Sequence, residues 1–142
     1  MKTALFSLLL VCSACAAERI TVRSNDAQVV AATLVLEAGG EGKEGMEAVR
    51  EVIANRSRSS TLTEAEVCLK RLQFSCWNGS TVKAGIEKAK LHKNWLLALE
   101  VANAETTNHT SGATHYHTTK VSPSWAKRLT RTTVIKNHIF YK

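Results

Sequence analysis

Apolar residues recur at helical spacing through the first two thirds of the chain. The first stripe predicts a helix that begins at Asp26, is capped by the preceding Ser-Asn pair, and ends at Gly39-Gly40. A second stripe predicts a helix from about Gly45 to Arg58. Three shorter helices are expected farther on: one that starts at a capping box of residues 63–66, one over residues 81–90, and one that begins at about residue 94.

The pattern changes after residue 112, where apolar and polar positions begin to alternate. Residues 113–118 form one β-prone run, and residues 131–135 and 138–141 form two more, which the pair Lys136-Asn137 joins as a hairpin. At 142 residues the chain is one domain. We therefore predict an α+β fold, mainly α, with a small antiparallel β element near the C-terminus.

A short block between the first two predicted helices, residues 36–42, carries two carboxylates, Glu37 and Glu41. Glu37 ends the apolar stripe of the first helix, so its side chain should project from a half-buried surface. Desolvation on such a surface raises a carboxyl pKa toward the range that a general acid needs. The alternative is a solvated carboxylate at a helix end, with Glu41 in the first turn of the next helix, where acids are favoured. The spacing alone leaves both interpretations open.

The N-terminus has the pattern of an export signal. A basic start is followed by an apolar run at residues 4–11, too short to span a bilayer, and by Ala14-Cys15-Ala16. We predict a signal peptide at 1–16 and a mature domain at 17–142. The mature protein would act in the periplasm, the cell envelope or the extracellular space, without stable membrane insertion. A lipid anchor on Cys15 is the alternative.

Charge and cysteine content narrow the function further. The net charge of +7 favours a polyanionic partner such as nucleic acid, an anionic membrane or an acidic cell-wall polymer. No nucleic-acid-binding motif is present, and an export signal argues against such a role. Removal of the signal would leave two cysteines, Cys68 and Cys76, and an exported protein with one such pair is expected to join them in a disulfide.

Three kinds of function fit these residues. A glycosidase needs a carboxylic acid to protonate the leaving oxygen, with a second carboxylate or an internal hydroxyl as nucleophile. Aromatic and polar side chains suited to binding sugars are Gln73, Trp77, Tyr116, His117 and Trp125. A zinc peptidase or amidase would use His115 and His117, which point the same way on a strand, but the single Asp of the chain, Asp26, is far away in sequence. The third possibility is a basic binding module without catalysis.

Several segments, in order, resemble the SleB-type cell-wall hydrolases, the spore-cortex-lytic enzyme family. The first is LEAGGEGKEGMEAVREVIANR, with its paired acids and its Asn-Arg at the helix end. The others are QFSCWN at 73–78, GATHYH at 112–117, the Pro-Ser-Trp at 123–125 and HIFY at 138–141. The match spans nearly all of the predicted mature chain, whereas many spore members carry Tyr-Tyr-Phe-Asn near residues 115–117.

The resemblance implies a lysozyme-like, lytic-transglycosylase-like helical domain that cleaves MurNAc–GlcNAc β-1,4 bonds of peptidoglycan. It implies that Glu37 is the catalytic acid/base, that Glu41 has a supporting role, and that the product is 1,6-anhydro-MurNAc. We expect a monomer without cofactor or metal. A hydrolytic muramidase and, less favoured, the zinc-dependent enzyme remain alternatives. A bacterial wall-remodelling enzyme and an exported phage lysin fit equally well.

Overall fold

The computed structural model describes the backbone of residues 13–142 and the side chains of residues 25–142. Five helices come first: α1 (Ser13–Ala38), α2 (Gly42–Arg58), α3 (Glu64–Leu69), α4 (Val82–Lys90) and α5 (Trp95–Asn103). Three strands follow: β1 (His115–Thr118), β2 (Arg131–Ile135) and β3 (His138–Tyr141). Short 3-10 turns lie at residues 39–41, 75–77 and 124–128. The prediction of a mainly helical α+β fold with a small C-terminal sheet is confirmed.

The first helix is longer than its apolar stripe predicts. It already includes Ser13, the first described residue, rather than beginning at Asp26, because residues 14–25 contain neither proline nor glycine and continue the helical backbone without a break. Residues 1–12 of the predicted signal peptide lie outside the described residues, and residues 13–16 lie within α1. Cleavage after residue 16 therefore stays a prediction. Among the described residues, the model contains no helix with the length and hydropathy needed to cross a bilayer.

Helix α2 separates two hydrophobic clusters. Met46, Val49 and Ile53 are fully buried in the larger cluster, which α1, α3, α4 and α5 complete. Ala48 and Val52, on another side of α2, are buried against the sheet. This two-sided burial follows from apolar residues at i, i+3 and i+7 on one flank of the helix and at i and i+4 on the other. As a result, α2 fixes the position of the sheet relative to α1.

The sheet is antiparallel with strand order β1-β3-β2. Tyr116 pairs with Phe140 across β1 and β3, and Phe140 is fully buried beneath the sheet. The predicted hairpin is confirmed, and Lys136 takes a left-handed conformation at its turn with φ of 51°. On the opposite face of β1, His115 and His117 pack against the ring of Trp125.

Polar side chains of α2 hold the segment that leads into β1. The Glu51 carboxylate accepts hydrogen bonds from the hydroxyls of Thr107 and Thr110 and from the backbone N–H groups of His109 and Thr110. Burial of Glu51 tends to raise its pKa, but these four hydrogen bonds outweigh burial and leave the pKa below its ordinary value. Asn55 continues the attachment by donating to the carbonyl of Ala113 at 2.8 Å.

The ends of three short helices depend on local contacts. Asn94 precedes α5 but does not cap it through its side chain, because its Nδ2 donates instead to the carbonyl of Gly39 at 2.8 Å. In α4, Ile86 is buried, while Val82 near the start of the helix is 40% exposed. The capping box of α3 is confirmed, with Thr63 and Glu66 exchanging both hydrogen bonds.

Candidate active site

A cavity of about 520 Å³ opens between the C-terminal end of α1, the loop at residues 72–76 and strand β1. Glu37 lies in its wall, and it is the one carboxylate among the side chains that line the cavity. Three of the five side chains predicted to bind substrate also line it: Gln73, Tyr116 and His117. Helix α1 and strand β1 thus bring the predicted acid and part of the predicted sugar-binding surface together.

Tyr116 directly contacts the candidate acid. Its hydroxyl donates a hydrogen bond of 2.9 Å to Oε2 of Glu37, across 79 positions of sequence. Burial, and then the charge and hydrogen bond of Glu37, raise the pKa of Tyr116 well above its ordinary value. The phenol therefore keeps its proton at neutral pH and remains a donor. With Oε2 accepting this bond, Oε1 of Glu37 is the oxygen left to carry a transferable proton.

The two cysteines are free thiols in the structure, so the disulfide expected from sequence is absent from it. Each thiol interacts with a different group. Burial raises the pKa of Cys68 to about 12, against the opposing effect of a hydrogen bond with Thr33. Burial also raises the pKa of Cys76, and the charge and hydrogen bonding of Glu37 raise it further. Cys76 lines the cavity and is therefore a neutral neighbour of Glu37 rather than a nucleophile.

Glu41 does not line the cavity. Its Oε2 lies 2.9 Å from Nδ1 of His138, and both side chains are nearly buried, 11% and 4% exposed. Gly45 permits this arrangement, since a Cβ at that position would lie 2.5 Å from Cβ of Glu41. The His138 ring in turn packs edge-on against the ring of Tyr116, with 4.9 Å between the ring centroids. Glu41 thus contacts β3 and lies two side chains away from Glu37.

Arg56, at the last turn of α2, was not among the predicted site residues. Its Nε donates to the carbonyl of Thr114 at 2.7 Å, and its guanidinium carbon lies 5.3 Å from the centroid of the Phe74 ring. Burial lowers the pKa of Arg56 below its ordinary value, while the nearby Tyr116, Cys68 and Glu37 act in the opposite direction. One sequence signal could have indicated Arg56: it lies seven positions after Val49, so it is a charged residue on the same buried face of α2 as Val49 and Ile53.

Two predicted sugar contacts lie elsewhere. Trp77 is in the core, where its Nε1 donates to Thr33 at 3.0 Å and its ring occupies the space beside Gly85, so it makes no part of the cavity wall. Trp125 lies outside the cavity, against the rings of His115, His117 and Tyr141. The predicted substrate contact of Trp77 is therefore corrected, because Trp77 packs in the core, whereas that of Trp125, which packs on the outer face of the sheet, stays a prediction.

The HxH pair lacks the neighbours that a metal site requires. Nε2 of His117 is 2.9 Å from the hydroxyl of Tyr141, and Nδ1 of His115 is 2.9 Å from the hydroxyl of Thr114. Within residues 25–142, no three His, Cys, Asp or Glu side chains come together in an arrangement able to hold an ion. Aromatic packing accounts for both imidazoles.

Comparison with known proteins identifies the class. Residues 40–141 match the Cell Wall Hydrolase family, and the chain belongs to that family. The matched range contains Glu41 and begins just after Glu37. A comparison with curated proteins finds no match.

Two solved structures share the fold. The catalytic domain of the Bacillus cereus SleB protein is 25% identical, with a TM-score of 0.59 over 84% of this chain and 91% of that one. The catalytic domain of the germination-specific lytic transglycosylase SleB from Bacillus anthracis is 24% identical, with a TM-score of 0.59 over 83% of this chain and 94% of that one. The resemblance inferred from sequence motifs is confirmed.

Proposed function

We propose that this protein cleaves the MurNAc–GlcNAc β-1,4 bonds of peptidoglycan and acts as a lytic transglycosylase with Glu37 as its acid/base. Family membership and the SleB-like fold support a peptidoglycan-degrading enzyme that works outside the cytoplasm. The predicted export signal and the net charge of +7 agree with a substrate that is an acidic wall polymer.

One observation carries the choice of mechanism: Glu37 is the single carboxylate in the cavity wall. Glycosidases that use water or a covalent intermediate need a second carboxyl group about 5 to 9.5 Å from the first. Glu41 is the nearest acid in sequence, but it is nearly buried and paired with His138. A mechanism that needs only one carboxyl group, with a substrate hydroxyl as nucleophile, fits this arrangement best.

The proposed reaction has two proton transfers. Oε1 of Glu37 donates its proton to the bridging oxygen as the bond from C1 of MurNAc breaks, and GlcNAc leaves with a free 4-hydroxyl. The Glu37 carboxylate then accepts the proton of the C6 hydroxyl while O6 bonds to C1, which gives the 1,6-anhydro ring. Glu37 ends protonated again, so the cycle closes without water. The Tyr116 hydrogen bond to Oε2 stabilises the carboxylate between the two transfers.

Other cavity residues suit a sugar polymer. Leu72 and Val121 are 75% and 56% exposed and supply apolar surface for the faces of sugar rings. Leu72 has a φ of 64°, an unfavourable left-handed conformation for a leucine, and such strain is concentrated at functional sites. Gln73 offers hydrogen bonds to hydroxyl and acetamido groups, whereas the ring nitrogens of His117 already contact the Thr118 carbonyl and the Tyr141 hydroxyl.

The test is mass spectrometry of the muropeptides that the mature protein releases from purified peptidoglycan, with and without a chelator. We expect chelator-resistant products that are one water short of reducing muropeptides. Reducing MurNAc ends would instead establish a hydrolytic muramidase and require a second working carboxylate. Intact glycan with cut peptides, lost on chelation, would establish the zinc-dependent alternative.

A further inference from the structure

A second cavity, of about 320 Å³, adjoins the first one. Arg56 and Gln73 line both cavities, so the two share a wall. The second cavity also presents the hydroxyls of Ser59 and Ser60 and the ammonium group of Lys70. No carboxylate is among its lining residues. It is therefore a positively charged recess with an apolar part, formed by Leu62 and Val67, and it adjoins the cavity that contains the proposed catalytic acid.

The guanidinium of Arg56 has unused donors. Its Nη1 is buried without a hydrogen-bond partner, and within the described part of the chain Arg56 makes no ion pair. Arg50, two turns earlier on α2, differs sharply, since its Nη1 is 2.6 Å from Oε1 of Glu64. A desolvated guanidinium without a carboxylate partner is costly, and a bound anion would offset this cost. Since Nη1 has no exposed surface and Nε is bonded to Thr114, the remaining N–H groups of the guanidinium and its charge would hold a carboxylate.

We propose that this recess binds the carboxylates of the peptide stem attached to MurNAc, with Arg56 as the principal contact and Lys70 as a second one. The inference rests on the proposed function and adds a second substrate contact to it. The stem hangs from the lactyl group at O3 of the sugar whose C1 reacts, so it leaves the sugar next to Glu37. Because Arg56 lines both cavities, a stem running from the first cavity into the second passes its guanidinium.

Direct binding tests this site without any catalysis. In a Glu37→Gln background, calorimetry compares a synthetic stem tetrapeptide in its free-acid form with the same peptide fully amidated. We expect the free acid to bind at least about ten-fold more tightly, and Arg56→Gln to weaken its binding by about ten-fold or more. Lys70→Gln, at an exposed position, should weaken it by about two- to five-fold. Equal affinity of the acid and amidated peptides would overturn the proposal.

Matched variants separate binding from folding. Lys93→Gln removes the same charge at an exposed position outside both cavities, and we expect unchanged peptide binding. Arg56→Lys keeps the charge but loses the bidentate fork, so it should recover part of the affinity. If Arg56→Gln lowers the melting temperature too far for calorimetry, the peptide affinity of Lys70→Gln tests the site instead. If Lys93→Gln loses as much peptide affinity as Lys70→Gln does, the result would count against the site.

Activity on two substrates distinguishes this inference from the proposed function. Peptidoglycan strands with and without their stems are compared, and the loss of kcat/KM in Arg56→Gln should be about ten-fold greater on strands that carry stems. An equal loss on both substrates would refute stem recognition and leave glycan cleavage standing. Charge-dependent peptide binding by a protein that cleaves neither substrate would refute the proposed function and leave the peptide site standing.

Discussion

Tyr116→Phe is the most direct test of how the site activates Glu37. The change removes one hydroxyl, which donates at 2.9 Å to Oε2 of Glu37, and keeps the ring that packs against His138 and Phe140. A hydrogen bond to an ionised group contributes about 1.5–3 kcal/mol. The bond is strongest when Glu37 is a carboxylate, so it strengthens as the proton moves to the leaving oxygen. Loss of the hydroxyl therefore raises the barrier of the chemical step.

The size of the effect follows from these figures. Each 1.36 kcal/mol corresponds to a ten-fold change in rate, so we expect kcat/KM to fall by about 10- to 100-fold, mainly through kcat. The assay is the rate of release of anhydro-muropeptides from purified peptidoglycan. Tyr141→Phe is the matched control, because it removes an equivalent hydroxyl that contacts His117 rather than Glu37. Its loss should be clearly smaller.

Two outcomes separate this role from a general effect on the fold. A kcat/KM in Tyr116→Phe equal to that of the wild type would refute the reasoning. So would a fall in kcat/KM of the same size in Tyr116→Phe and in Tyr141→Phe. A normal melting temperature in each variant excludes unfolding as the cause.

Three further predictions follow. Glu37→Gln should abolish muropeptide release while its circular dichroism and melting temperature stay close to the wild type; retained activity would remove Glu37 from the mechanism. Glu51→Gln should lower the unfolding free energy at pH 7 by about 2 kcal/mol. Because the folded state lowers the pKa of Glu51, the stabilisation by this carboxylate is present above pH 4.5 and is lost as the pH falls through the folded pKa. In urea titrations at a series of pH values, the unfolding free energy of the variant should therefore depend less on pH in the acid range. In the mature protein, residues 17–142, Cys68 and Cys76 should react slowly with a thiol reagent at pH 8 while it is folded, because burial raises the pKa of both. Two thiols should titrate when this protein is unfolded without reductant, and none would instead establish the disulfide expected from sequence.

The sequence predicted most helices and all three strands because their signals are local. Helix α2 keeps one apolar period from its start to its end, and the box at Thr63 and Glu66 marks the start of α3 with two reciprocal hydrogen bonds. The start of α1 could not be located in this way. An apolar stripe shows which helix face is buried, whereas the helical backbone continues wherever nothing interrupts it.

The candidate site was harder to predict because its contacts join distant residues. Periodicity indicated that Glu37 projects from a half-buried surface, but it carries no information about Tyr116, 79 positions away. Aromatic residue type was equally ambiguous for Trp77, which is a core residue because its indole N–H finds a buried partner in Thr33. Only the tertiary fold decides whether an aromatic side chain faces the core or a cavity.

The site depends on α2 in a way that links stability to catalysis. Glu37 belongs to α1 and Tyr116 to β1, and polar side chains of α2, including Glu51, Asn55 and Arg56, hold the segment from residue 107 to residue 114 that leads into β1. Loosening that segment would move the Tyr116 hydroxyl away from Oε2 before the main hydrophobic cluster is disturbed, since that cluster is formed chiefly by the helices. Catalytic activity is therefore expected to fall at lower denaturant concentrations than helical circular dichroism does, and coincident transitions would show that the sheet and the helices unfold as one unit.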